Sequence, residues 1–264
     1  MKSFSCLLLL LAVPALAEPF IVAHRGASGE APENTLPAFN LAWKQKADAI
    51  EGDFHLTKDG KIVCFHDFNT RKLTGRNLTL SKTTYAELKA LDAGAWKNEK
   101  FAGTRIPLLE DVLATVPPGK KIYIEIKCGP EIVPALLRVV RSSGLTNEQI
   151  VIISFNEMVV ESVKKERPEW IVNWLYGFDK RSARDPDEEL PRLLGVLEDI
   201  QADGLGSSAH PGLRKKHLET LEKAGFRHHV WTVNDPGVAR RFLEMGCRSI
   251  TTDFPGKLRS SLTQ

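Results

Sequence analysis

Two carboxylates two residues apart, Glu51 and Asp53, lie in an apolar run at 49–54. On an extended segment that spacing puts both side chains on one face. A third acid, Glu125, interrupts the run Ile122-Tyr123-Ile124-Glu125-Ile126, where an unpaired charge is costly to bury. Inward carboxylates at close range repel one another and raise their own pKa values. A divalent cation resolves that conflict, and all-oxygen ligation suits Mg²⁺ or Ca²⁺ better than zinc. Neutralisation by Arg or Lys, as buried ion pairs, is the purely structural alternative.

Two histidines stand beside this set in similar settings, in His24-Arg25-Gly26 and in His66-Asp67. Cleaving a phosphodiester requires one group to take a proton from the attacking oxygen and another to protonate the departing one. Imidazole serves as either near neutral pH. Arg25 offers a planar fork for phosphate oxygens and Lys127 a point charge, both suited to charge that grows in the transition state. Arg25 could equally pair with Glu33 and hold the first loop. His55, His210, His217, His228 and His229 read as surface or packing residues.

Strand ends are where such groups are positioned. Short β-branched runs alternate with amphipathic stretches along the chain. The pattern predicts strands at 20–23, 49–54, 121–126, 150–154, 171–176, 203–205, 228–233 and 248–252, with an extended segment at 61–65. Helices are predicted at 35–46, 108–116, 132–142, 157–166, 187–200, 213–223 and 236–245. Alternation implies parallel pairing through right-handed crossovers, and eight such strands close a TIM (β/α)₈ barrel. A doubly wound sheet is the competing architecture, but no GxGxxG or P-loop follows any strand. A polar stretch at about 67–105, with one short helix around 85–91, reads as a small insertion after the second strand without a core of its own.

A chain of 264 residues suits one such barrel. A net charge of +3, with no long Lys/Arg run, argues against a nucleic-acid partner. Lys2, the apolar run 7–13 and Ala15-Leu16-Ala17 form the pattern of an export signal at 1–17. The expected mature domain is therefore 18–264, periplasmic or extracellular. No apolar run is long enough to insert stably in a bilayer. Cys64, Cys128 and Cys247 match no zinc spacing. One bridge among them is possible, and three packed thiols are the simpler expectation.

Taken in order, His24-Arg25-Gly26, Pro32-Glu33-Asn34-Thr35, Glu51-x-Asp53, Lys58-Asp59-Gly60, His66-Asp67, Glu125-Ile126-Lys127, Ser154-Phe155, Trp231-Thr232-Val233-Asn234 and Thr252-Asp253 form a pattern. It resembles that of the glycerophosphodiester phosphodiesterases, in their short, secreted bacterial form, from about residue 20 to 255. The resemblance implies a TIM barrel with an insertion after the second strand. It also implies hydrolysis of small-molecule glycerophosphodiesters to sn-glycerol 3-phosphate and an alcohol. By position it makes Glu51, Asp53 and Glu125 ligands of one divalent cation, Mg²⁺ or Ca²⁺, and His24 and His66 the acid/base pair. Arg25 and Lys127 fall on the phosphate, and Phe155 and Trp231 line the pocket. Gly256 departs from the family's frequent TDxPD ending. Two rivals share parts of this chemistry. Phospholipase D-like or C-like cleavage of lysophospholipids or sphingolipids would call for an apolar rim, and no long exposed apolar loop is visible. A non-catalytic barrel binding phosphorylated ligands would most simply lack one histidine or acid, and the full set is present.

Overall fold

The computed structural model describes residues 19–178 and 185–263, so the expected export signal at 1–17 lies outside the described residues. Eight parallel strands close on themselves: β1 (Ile21–Ala23), β2 (Ala49–Leu56), β4 (Lys121–Ile126), β5 (Ile150–Ser154), β6 (Ile171–Tyr176), β7 (Gly204–Ser208), β8 (Arg227–Trp231) and β9 (Ser249–Thr252), with β9 pairing back onto β1. The intervening β3 (Ile62–Cys64) folds back antiparallel on the end of β2, pairing Phe54 with Cys64. Helices α1 (Leu36–Lys44), α4 (Leu109–Leu113), α5 (Val133–Ser142), α6 (Glu157–Glu166), α7 (Pro186–Asp199), α8 (Lys215–Lys223), α9 (Pro236–Glu244) and α10 (Pro255–Leu262) cover the outside. This is the TIM barrel that the alternation predicts.

The two-residue period of each strand divides its side chains between two cores. Val22, Ala49, Tyr123, Val151, Ile153 and Leu175 fill the barrel interior. Alternate residues such as Ile50, Ile122, Ile152, Val172, Leu205 and Ile250 pack outward among the helices. Glu51 and Asp53 share the parity of Ala49, and Glu125 that of Tyr123. The period that plugs the barrel with apolar groups therefore carries the acids inward above the plug.

Several elements differ from expectation. Strand β7 runs to Ser208 rather than stopping at 205, because Gly204-Leu205-Gly206-Ser207-Ser208 has weak strand propensity yet is paired on both sides. Strand β8 ends at Trp231, and helix α4 is shorter than 108–116. The insertion holds α2 (Arg71–Thr74) and α3 (Tyr85–Lys89), and it does have a small core of its own. Leu73, Leu80, Leu88, Leu91, Ala93 and Ile106 pack with Val63 and Phe65, so β3 is the stalk that joins this core to the barrel. Cys64, Cys128 and Cys247 are free thiols. No helix among the described residues is long and apolar enough to cross a membrane.

Candidate active site

Parallel pairing sets Asp53 opposite Glu125 on the neighbouring strand. One oxygen from each of Glu51, Asp53 and Glu125 lies within 4.8 Å of the others, and all three residues are buried. Burial, with Asp53 and Glu125 close by, pushes the Glu51 carboxyl well above its ordinary range. Burial and the Asp53 charge raise Glu125 as well. Asp53 goes the other way: burial would raise it, but Arg25, Lys127 and His66 hold it below the usual value.

Two cations compensate part of this charge. Arg25 places Nε 3.1 Å from Asp53 Oδ2 and donates from Nη1 to Glu33 at 2.8 Å. Lys127 Nζ donates to Glu125 Oε1 at 2.7 Å and stands 3.5 Å from Asp53 Oδ1. Ion pairing is thus present, as the structural alternative requires, but two cations do not neutralise three acids. Among the described residues, Glu51 Oε2 receives only the backbone N–H of Arg25, at 2.8 Å, while Glu51 Oε1 and Asp53 Oδ1 are buried without a hydrogen-bond donor. Orphaned carboxylate oxygens facing one another fit an oxygen-ligated divalent cation.

Local backbone geometry explains the loop that carries Arg25. Gly26 has φ +79°, and a Cβ there would meet the Ala38 carbonyl carbon at 2.6 Å, so only glycine lets the loop close onto α1. Asn34, also left-handed at φ 59°, reaches across to β2. Its Nδ2 donates to Asp53 Oδ2 at 2.8 Å, and its Oδ1 accepts from the Asp53 N–H at 3.0 Å and from Cys64 Sγ at 3.2 Å. Asn34 thereby fixes one Asp53 oxygen and leaves the other toward Glu51 and Glu125.

Both histidines are held by carboxylates. His24 Nδ1 lies 2.7 Å from Asp253 Oδ1 and His66 Nδ1 lies 2.7 Å from Asp67 Oδ1. A carboxylate accepts, so each Nδ1 carries the proton and each Nε2 is the nitrogen available for chemistry. Burial would raise Asp253, but hydrogen bonds from His24, Asn234 and Ser28 lower it to about 2. Burial lowers the pKa of His55, and its Nε2 donates to the His66 carbonyl at 3.1 Å. The other histidines pack: His228 on Phe242, His229 against Tyr123, His210 on Phe178, and His217 onto Asp187.

These groups open into one cleft of about 180 Å³. His24, Arg25, Glu51, His66, Glu125 and Lys127 form its charged wall, and Ile153, Phe155, Leu175 and Trp231 its apolar wall. Phe155 meets Trp231 edge to face at 5.5 Å, and Lys127 Nζ lies 5.7 Å from the Phe155 ring. All nine sequence-predicted residues are therefore in one place, with Asp53 immediately beneath the cleft. Asn34, Asp67 and Asp253 carried no role in the sequence reading. Asp67 was readable from its adjacency to His66, whereas Asp253 reaches His24 only because β9 closes onto β1.

Phe68, Trp96, Phe155 and Met158 are the exposed large hydrophobics among the described residues, and of these Phe155 lines the cleft. Phe68 follows His66 by two residues, and Met158 opens α6 beside Phe155. Trp96 precedes Lys97, whose Nζ bonds the Ser28 carbonyl in the first loop at 2.7 Å. The exposed large hydrophobics are thus single residues on separate segments rather than one apolar run.

Comparison with known proteins agrees with this geometry. Residues 24–257 match the sequence profile of the glycerophosphoryl diester phosphodiesterase family. A glycerophosphodiester phosphodiesterase of Caldanaerobacter subterraneus is 33% identical over 248 residues, covering 90% of this chain and 95% of that one. A mouse protein named as a lysophospholipase D is 28% identical over 275 residues, covering 91% of this chain and 85% of that one. The structure of an Oleispira antarctica phosphodiesterase, in complex with the product sn-glycerol-3-phosphate, superposes with a TM-score of 0.83 at 27% identity, covering 93% of this chain and 97% of that one.

Proposed function

The chain belongs to the glycerophosphoryl diester phosphodiesterase family and hydrolyses glycerophosphodiesters, and from that premise we propose a cation-dependent reaction worked by His24 and His66. The observation that carries the proposal is the convergence of two carboxylate-held imidazoles and a three-acid cluster on one cleft. Glu51, Asp53 and Glu125 would hold Mg²⁺ or Ca²⁺, which when bound polarises phosphate oxygen and offsets growing negative charge. Arg25 and Lys127 add fixed positive charge at the same wall, each anchored by acids that stop it swinging away. His24, neutral with its proton on Nδ1, takes the proton from the attacking oxygen on Nε2, and His66, entering with a proton on each ring nitrogen, gives the one on Nε2 to the departing alkoxide. The apolar wall of Phe155, Leu175 and Trp231 lies along the carbon skeleton and excludes water from one side. The products are sn-glycerol 3-phosphate and an alcohol.

His24→Ala and His66→Ala test this assignment. Each should lower kcat for glycerophosphocholine by about 10²–10⁴-fold with the fold intact. A folded variant that keeps near-wild-type kcat would remove that histidine from the mechanism.

A second substrate reading, cleavage of lysophospholipids, is favoured by the exposed apolar side chains of Phe68, Trp96 and Met158 and by the relative named as a lysophospholipase D. The combined substitution Phe68→Ser, Trp96→Ser and Met158→Ser separates the two. It should leave glycerophosphocholine turnover intact and depress turnover of lysophosphatidylcholine if an acyl chain lies on these side chains. Equal effects on both substrates argue against that reading. Export with cleavage after Ala17 belongs to the same proposal, and N-terminal sequencing of the secreted protein should begin at Glu18.

A further inference from the structure

The clamp on Asp253 contains a residue that the chemistry above leaves without a task. Asn234 lies in the loop between β8 and α9. Its Nδ2 donates to Asp253 Oδ2 at 2.6 Å, while its Oδ1 accepts from Thr252 Oγ1 and from the Asp253 N–H, both at 2.9 Å. Both ends of the amide are committed, so its orientation is determined by partners on each side. The other Asp253 oxygen receives Ser28 Oγ at 2.9 Å and His24 Nδ1 at 2.7 Å. With one oxygen tied to Asn234 and the other to Ser28, the carboxylate plane cannot rotate away from the imidazole.

The surroundings show what this arrangement is for. Capping of α9 does not need Asn234, because the N-cap is Asp235, whose side chain accepts from the Val238 N–H at 2.9 Å. The second histidine has no equivalent clamp. Asp67, among the described residues, meets only His66, and its side chain is 34% exposed. The backbone already joins the two halves of the His24 site, since His24 N–H donates to the Thr252 carbonyl at 2.8 Å. What the backbone leaves free is the rotation of the Asp253 side chain, and Asn234 removes that freedom.

We propose that Asn234 is a positioning residue for the hydrolytic reaction, holding Asp253 in the orientation that fixes the His24 ring with its proton on Nδ1 and its Nε2 toward the cleft. The inference rests on the role given to His24. It makes His24 the more rigidly presented of the two imidazoles, as suits the group that must meet the attacking oxygen.

Steady-state hydrolysis of glycerophosphocholine with saturating Mg²⁺ or Ca²⁺ tests it, using Asn234→Ala, Asn234→Asp, His24→Ala and the exchange N234D/D253N. Asn234→Asp keeps acceptors for Thr252 and the Asp253 N–H but turns the amide donor into a second carboxylate. Both single variants of Asn234 should lose kcat by about 10–100-fold, the effect of one hydrogen bond to a charged group, with KM changed by less than about threefold. In the exchange, amide and carboxylate trade places and the bond between them re-forms with reversed polarity. An amide oxygen can then accept from His24 Nδ1. The exchange should recover about tenfold or more over Asn234→Asp alone. That comparison between two variants of matched size stands even if Asn234→Ala does not fold. Single variants with kcat within about twofold of wild type would overturn the proposal, as would a rise in KM with kcat unchanged, or an exchange no better than Asn234→Asp. An active His24→Ala would show that the role of His24 itself is wrong. An inactive His24→Ala beside an active Asn234→Asp would overturn only the role of Asn234.

Discussion

Replacing Asn34 by alanine should cost about 4–7 kcal/mol of stability, a large share of the 5–15 kcal/mol typical of a folded domain. The magnitude follows from what the side chain holds. Its Nδ2 bonds an ionised, buried carboxylate, Asp53, a contact of the charged class worth about 1.5–3 kcal/mol. Its Oδ1 accepts the Asp53 N–H, which alanine would leave buried without a partner, costing a further 1–3 kcal/mol or about that. Alanine at φ 59° adds backbone strain of about 1 kcal/mol beyond what asparagine bears there. Glycine loses the same bonds without the strain, so Asn34→Gly should be about 1 kcal/mol more stable than Asn34→Ala. Urea denaturation at equal slope measures both values. Cation affinity from calorimetry should fall in both variants, because Asp53 loses the bond that orients it. An Asn34→Ala protein within about 1 kcal/mol of wild type, or an Asn34→Gly protein less stable than Asn34→Ala, would refute the reasoning.

Two further outcomes are expected. Burial holds His228 at about 3, and burial with Arg227 and Arg248 holds His229 at about 4, both below the value near 6.5 of an unfolded chain. The unfolded chain binds more protons in that window, so the stability from these groups is full above pH 6.5 and is lost as pH falls toward 4. The loss is up to about 1.4 kcal/mol per pH unit for each. His228→Gln should flatten the decline in urea midpoint between pH 7 and 5, and parallel declines would contradict the account. At Gly206, an added Cβ would meet Leu175 Cδ2 at 2.6 Å, beside Trp231. Gly206→Ala should therefore cost about 1–3 kcal/mol and raise KM by displacing the apolar wall, and unchanged KM would detach β7 from the shape of the cleft.

The barrel and the acid cluster were legible because both depend on local period. Alternation announced the strands, and the two-residue spacing of Glu51 and Asp53 put them inside whichever strand bordered them. The weak strand β7 was cut short because Gly-Leu-Gly-Ser-Ser forms a strand only through its neighbours. The core of the insertion was missed because Val63, on a strand shared with the barrel, and Phe65 just after it complete that core. Asn34 and Asp253 eluded assignment for a related reason: what they touch lies 19 and 229 residues away, across contacts that only the closed barrel creates.

The most direct test of the central claim is a phosphorus NMR time course of glycerophosphocholine with chelated, metal-verified protein, before and after addition of Mg²⁺ or Ca²⁺. The acid cluster predicts no sn-glycerol 3-phosphate from the metal-free protein, product after addition, and little from Glu51→Gln under either condition. Product formed at the full rate by protein with no measurable metal would contradict it.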